Sequence, residues 1–337
     1  MPLRLVEMVC PEEKRHEVEE AVQEHEPLGL WHDRMLDEQV LVKILLPAER
    51  AEAVLDHLES NFGGMEGFRI LLLPVQAALP RPELPAEPAG HVPFQASPKA
   101  LPSRISRQEL YAEISGSAQF SRIFLALVVL STFVAAVGMW RNNVIAIIGA
   151  MVIAPLLGPN MALAFATTLG DADLGRRALR TNLAGILAAV LVAVALGIIL
   201  PVDPEASQLA ARCNVCLADV TLALAGGIAG ALAFTTGIAT ALVGVMVALA
   251  LLPPLAALGL TLGAGQWAMA RGALLLFATN LICVNLVGVA TFRVLGIRPR
   301  VWWKADKAQH AARRALTVWL LLLLALVVII AIAQSPT

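Results

Sequence analysis

The chain has 337 residues, of which 58% are hydrophobic and only 15% charged, and its net charge is −1. A soluble domain is closer to half apolar and a quarter charged, so this composition excludes an ordinary soluble globular protein and indicates a membrane protein. The basic residues are scattered or sit beside hydrophobic stretches, which excludes a nucleic-acid binder, and the four cysteines (Cys10, Cys213, Cys216 and Cys283) are too dispersed for a disulfide framework.

Residues 1–75 have soluble composition. The start, with Glu7, Glu12 and Glu13, lacks the apolar core of a secretory signal, so this part is expected to stay in the cytoplasm. Leu3 to Val6 reads as a strand, and Pro11-Glu12-Glu13 opens a helix whose apolar face is Val18, Ala21 and Val22. Leu28 to Met35 and Val40 to Leu46 read as strands joined at Asp37-Glu38-Gln39. Pro47 starts a second helix carrying Val54, Leu55, Leu58 and Phe62, which stops at Gly63-Gly64, and Phe68 to Leu73 is the last strand. The order βαββαβ is that of an α+β ferredoxin-like domain, able to bind a small regulatory ligand or to dimerise. His16, His25, His32 and His57 read as surface or packing residues, with no metal-ligand spacing among them.

Residues 76–104 carry seven prolines and predict an extended linker. Ser106-Arg107-Gln108-Glu109 fits a capping box. The helix it opens, within 105–120, places Leu110, Ile114 and Ala118 on one stripe. Such a helix either lies on the membrane surface or packs on the soluble domain.

Seven stretches reach the roughly 20 apolar residues that a span needs, at about 121–140, 143–168, 181–200, 217–235, 238–262, 272–295 and 314–333. The run from Gly149 to Pro159 returns 95 residues later as Gly244 to Pro254. At that offset Met151 matches Met246, Pro159 matches Pro254, Gly170 matches Gly265 and Arg176 matches Arg271. Each copy holds three spans, so the second enters from the opposite side, which makes a 3+3 inverted repeat over 121–296. The remaining 297–337 reads as a cytoplasmic loop and a seventh span. With the N-terminus inside, the inner loops hold Arg176, Arg177 and Arg180 and then Arg298, Arg300, Lys304, Lys307, Arg313 and Arg314, whereas the outer loops hold Arg141, Arg212 and Arg271. That distribution follows the positive-inside rule and places the protein in the plasma (inner) membrane as a multi-pass protein.

The motif Gly-Ala-Met-x-Ile-Ala-Pro-Leu-x-Gly-Pro at 149–159 resembles a family of prokaryotic membrane proteins of unknown function, that of the uncharacterised hydrophobic domain. Leu130-Ser131, Gly170-Asp171, Asp219, the run Gly226 to Ala231, Leu252-Pro253-Pro254, Gly259 and Asn280 carry the same likeness, which covers about 110–296. The sequence departs from it at Cys213-Asn214-Val215-Cys216, where the family leads one to expect a proline. The resemblance implies a membrane location and brings no substrate or reaction.

Function must then come from the residues. A proline inside a span leaves a carbonyl without its helical partner, so each break should face protein, water or a ligand. Pro155, Gly158, Pro159 and Asn160 in one copy, with Pro253 and Pro254 in the other, predict two interrupted helices meeting near mid-membrane, as a site or only as kinks. Asn160, Asn182, Asn280 and Asn285 are expected in the bundle interior. Asp219 either receives a proton or cation or pairs with Arg212, the pairing being favoured. Gly226-Gly227-x-x-Gly230 is a packing stripe, and Cys213 and Cys216 are candidates for a disulfide or half of a shared metal site. No catalytic residue, metal site or cofactor can be assembled. The expected protein is a transporter or channel for a small solute or ion, with Pro155, Gly158, Pro159, Asn160, Asp219, Pro253, Pro254, Asn280 and Asn285 as candidate binding residues. The alternative is a membrane sensor or scaffold whose ferredoxin-like domain binds a ligand. Expected partners are the bilayer, an unidentified solute and further copies of the chain, and not nucleic acid.

Overall fold

The computed structural model describes residues 3–35, 39–65, 68–75, 78, 106–236 and 240–297 together with 313, 314, 316–328 and 330; for 240–250 only the backbone is described. The chain divides into two compact units, Met1–Tyr111 and Ala112–Thr337. Most of the proline-rich segment, the turn at Asp37-Glu38 and the loop after Ile297 lie outside the described residues.

In the first unit, β1 (Leu3–Pro11), α1 (Arg15–Gln23), β2 (Gly29–Arg34), β3 (Gln39–Pro47), α2 (Ala48–Phe62) and β4 (Arg69–Val75) follow the expected order. The sheet order is β2-β3-β1-β4, with every pair antiparallel. Period-two alternation buries Val6, Met8 and Cys10 of β1 and Val40, Val42, Ile44 and Leu46 of β3 against Val18, Val22, Leu55 and Leu58 of the helices. Pro11 and Pro47 end their strands in extended backbone and each stands at the N-terminus of the helical segment that follows.

The next helix, α3 (Arg107–Ser117), is half of the expected capping box. Ser106 Oγ accepts the Glu109 N–H at 3.2 Å, but the Glu109 carboxylate turns to Arg4, at 3.1 and 3.2 Å. Arg107 holds Asp56 at 2.9 Å. Leu110, Ile114 and Ala118 are fully buried in protein, so the stripe is not free to face lipid.

The second unit contains α4 (Arg122–Trp140), α5 (Val144–Ile153), α6 (Leu157–Leu169), α7 (Ala172–Ile199), a single turn α8 (Ser207–Ala210), α9 (Leu217–Thr236), α10 (Thr240–Gly263), α11 (Trp267–Val294) and a C-terminal α12 (Leu316–Val328). Among the described residues α4, α7, α9 and α11 are long and apolar enough to cross a membrane; α5 and α6, bent by 49°, make a fifth span if taken together.

The bend has a local cause. Proline disfavours the helical region for the residue before it, and Ala154 accordingly sits at φ −69°, ψ 116°, ending α5 ahead of Pro155. Pro159 falls in the first turn of α6, where no N–H is required. The second proline pair behaves differently from expectation: α10 runs unbroken through Pro253 and Pro254. The position 95 residues after Pro155 is Ala250, so the residue that breaks the first copy has no counterpart. Pro253 and Pro254 accept the helical φ, and buried Leu251, Leu252, Leu255 and Ala256 hold that part of α10 in the core.

The 95-residue spacing extends to the helix bounds. α4 starts at Arg122 and α9 at Leu217; α7 and α11 each have 28 residues, starting at Ala172 and Trp267. Gly170 and Gly265 both take positive φ, at 68° and 75°. Packing repeats with the copies exchanged. On the α7–α10 crossing Gly259 lies against Ala193; on α6–α11 Gly288 lies against Ala164, the same two positions shifted by 95 in opposite senses. Gly197 against Leu260 and Phe292 against Phe165 form a second such pair.

One end of the bundle gathers its connections by hydrogen bonds. Trp140 Nε1 donates to Pro201 O at 3.1 Å, Asn142 Oδ1 accepts from Ser207 Oγ and Gln208 N at 3.0 Å, and Gln266 Nε2 donates to Val202 O at 3.3 Å.

Candidate functional site

All but two of the predicted residues fall in three places. The first is a cleft of about 410 Å³ beside α9, lined by Arg212, Asp219, Gly226, Ala229, Pro254 and Asn280 among others. Asp219, Gly226 and Ala229 follow one stripe of α9, and at 1.5 Å per residue the cleft runs about 15 Å from the α8–α9 loop into the bundle. Its wall is apolar, with Leu222, Ala223, Ala225 and Leu276. At the inner end Pro254 has no N–H for the carbonyl four residues back, and Asn280 supplies an amide.

The expected Arg212–Asp219 ion pair does not form. Both side chains line the cleft, but each is occupied on one side only by its own loop. Arg212 Nη1 donates to Gln208 O at 2.7 Å and to Gln208 Oε1 at 3.0 Å; Asp219 Oδ2 accepts from Cys216 N at 2.8 Å. Arg212 Nε and Nη2 and Asp219 Oδ1 make no hydrogen bond to the described residues. The carboxylate is taken up locally because Asp219 stands in the first turn of α9, three residues after an orphan N–H. Partial burial lowers the pKa of Arg212 from its ordinary value, and burial pushes the neighbouring Cys213 thiol up to about 11. Cys213 and Cys216 are both free thiols, one buried and one exposed.

The second place is a cleft of about 400 Å³ at the α5–α6 bend, lined by Pro155 and Gly158 with Ser117, Phe124, Leu127 and Phe234 among others. Pro155 and Gly158 are among the predicted binding residues, whereas Ser117, Phe124, Leu127 and Phe234 are not. Shifted by 95, Gly116, Ser117, Phe124 and Leu127 become Ala211, Arg212, Asp219 and Leu222, four residues that line the first cleft. Extending the repeat upstream of Gly149 was the signal that would have found it.

The third is a buried amide chain. Asn160, at 2% exposure, donates through Nδ2 to Leu156 O at 2.8 Å and to Asn182 Oδ1 at 3.1 Å, and its Oδ1 accepts from Asn285 Nδ2 at 3.3 Å. Asn285 Nδ2 also donates to Leu281 O at 2.9 Å. These bonds tie α6, α7 and α11 across both copies, leaving Asn182 Nδ2 and Asn285 Oδ1 without a partner. Asn160 and Asn285 thus belong to one assembly and Asp219, Pro254 and Asn280 to another. Pro159 and Pro253 are buried in their helices. Among the described residues no group of three His, Cys, Asp or Glu side chains is placed to hold a metal.

Several long apolar helices following an α+β unit define a multi-pass membrane protein. Residues 151–286 match the model of the domain of unknown function DUF389. The uncharacterised protein MJ0678 of Methanocaldococcus jannaschii is 34% identical over 289 residues, which is 86% of this chain and 87% of that protein. The chain belongs to the DUF389 family. No solved structure matches it.

Proposed function

We propose that the protein is a transporter of a small solute, built as an inverted repeat of α4–α7 and α9–α11, with its N-terminus in the cytoplasm and seven spans in all. The observation that carries this reading is the pair of clefts. They are equal in size to within a few per cent, and four lining positions correspond under the same 95-residue shift. In an inverted repeat, equivalent clefts open towards opposite faces, which is the geometry of alternating access. The exchanged contacts Gly259–Ala193 and Gly288–Ala164 support a two-fold relation between the copies. Only one copy is broken, at Pro155, so the two halves occupy different states of one device. The candidate residues serve binding and passage; no reaction is assigned to them.

The test is solute uptake by the purified protein in liposomes, screened across charge classes. Pro155→Ala removes the bar to a helical Ala154 and gives the first copy the residue found at Ala250. It should leave folded protein in the membrane and lower uptake about tenfold, a barrier change of roughly 1.4 kcal/mol. Unchanged uptake in that variant, or no uptake of any solute by the parent protein, would sink the proposal.

A further inference from the structure

We infer that the charged cleft binds a small zwitterion, a molecule with an ammonium and an anionic group close together on an apolar body. As a statement of what is transported this rests on the reading above; as a statement of what binds it stands on the cleft itself. The lining carries one positive and one negative side chain, Arg212 and Asp219, near the same mouth. They do not neutralise each other: each keeps hydrogen-bonding capacity that no described residue uses. A cation alone would leave the guanidinium unmatched in a partly desolvated cleft, and an anion alone would meet the carboxylate. A zwitterion satisfies both at once through charge-assisted hydrogen bonds. Beyond the charges, Leu222, Ala225, Ala229 and Leu276 offer an apolar wall, so the body of the molecule should be apolar. The equivalent cleft has Ser117 and Phe124 at these two positions and carries Glu113 but no cationic side chain in its lining, so the pairing of opposite charges belongs to the first cleft.

The same chemistry occurs in a free α-amino acid and in a phosphatidylethanolamine headgroup, and the experiment separates them. Full-length protein in phosphatidylglycerol nanodiscs is titrated calorimetrically with L-leucine, with 4-methylpentanoate, which lacks the ammonium, and with isoamylamine, which lacks the carboxylate. L-leucine should bind about tenfold or more tightly than either, the scale of one charge-assisted contact. Arg212→Gln and Asp219→Asn should each lose that preference, and Ser117→Ala should keep it. Asp219→Asn retains an oxygen for the Cys216 N–H, so it tests the site even if the arginine variant fails to fold. If L-leucine does not bind, native mass spectrometry in mixed phosphatidylethanolamine and phosphatidylglycerol decides. Retention of phosphatidylethanolamine by the parent and its loss from Asp219→Asn would uphold the zwitterion site with a lipid as its occupant. Equal binding of a singly charged analogue, or no binding of either zwitterion, overturns the inference. Uptake is measured separately across the solute screen: binding of a zwitterion with no uptake of any solute leaves the site standing and removes transport, and uptake of another solute with no zwitterion binding does the reverse.

Discussion

The two copies share their scaffold and differ in what they place on it. α7 and α11 have the same length and the same offset as α4 and α9, and both connecting turns use a left-handed glycine. Yet Pro155 faces Ala250 in the alignment, Ser117 faces Arg212, and Phe124 faces Asp219. The helix break belongs to the first stretch and the pair of opposite charges to the second. On the proposed inverted repeat, the packing positions correspond while the polar and proline positions differ, and the proposed function rests on those differences.

Three experiments would break or sharpen this comparison. The largest effect is expected at the crossings. A Cβ on Gly259 would overlap Ala193 Cβ and press on the backbone of Val190 and Val194, at 2.9 and 3.0 Å, whereas one on Gly288 meets Ala164 Cβ, at 2.9 Å, and the flexible end of Met161. Gly259→Ala should cost about 2–3 kcal/mol and Gly288→Ala about 1 kcal/mol, read as thermal unfolding in detergent. Equal losses would mean that the two crossings are mechanically alike.

A smaller contrast concerns the amide chain. Asn160→Ala strands partners on both sides and should cost about 2 kcal/mol, whereas Asn285→Val, which installs the residue of the first copy at Val190, should cost about 1 kcal/mol. If the second variant is the more damaging, the chain is anchored at its α11 end instead.

The last concerns the loop between α8 and α9. With the Cys213 thiol pushed up to about 11 by burial, only about one in a thousand is thiolate at pH 8. Maleimide should label exposed Cys216 at pH 7.5 and spare Cys213, whose labelling rises as pH increases towards 11. Comparable rates at both thiols near neutrality would show the loop to be open.

Much of this fold was legible in the sequence because its signals are local or periodic. Alternation gave β1 and β3, and apolar length gave α4, α7, α9 and α11. The second proline pair misled because proline type alone does not fix a break. What breaks α5 is an extended Ala154 ahead of Pro155, and Pro253-Pro254 lacks that conformation. The Arg212–Asp219 pair was also misjudged, since closeness in sequence said nothing of the loop groups that claim each side chain first. The joining of Asn160 to Asn285 spans 125 residues, a distance at which no sequence period operates.

The glycine crossing has a mechanical consequence. Between α7 and α10 backbone approaches backbone, with Gly197 against Leu260 O and Gly263 against Val194 O, so at these two points no side chain separates the main chains. Between α6 and α11 the same position holds two phenylalanine rings, edge to face with centroids 5.4 Å apart. Edge-to-face rings are compatible with a range of offsets and tilts, whereas main chains in direct contact allow little displacement without a clash. If the protein transports by the proposed alternation, the first crossing would be the weld and the second the bearing, and motion of the two halves should be felt first where Asn160 meets Asn285.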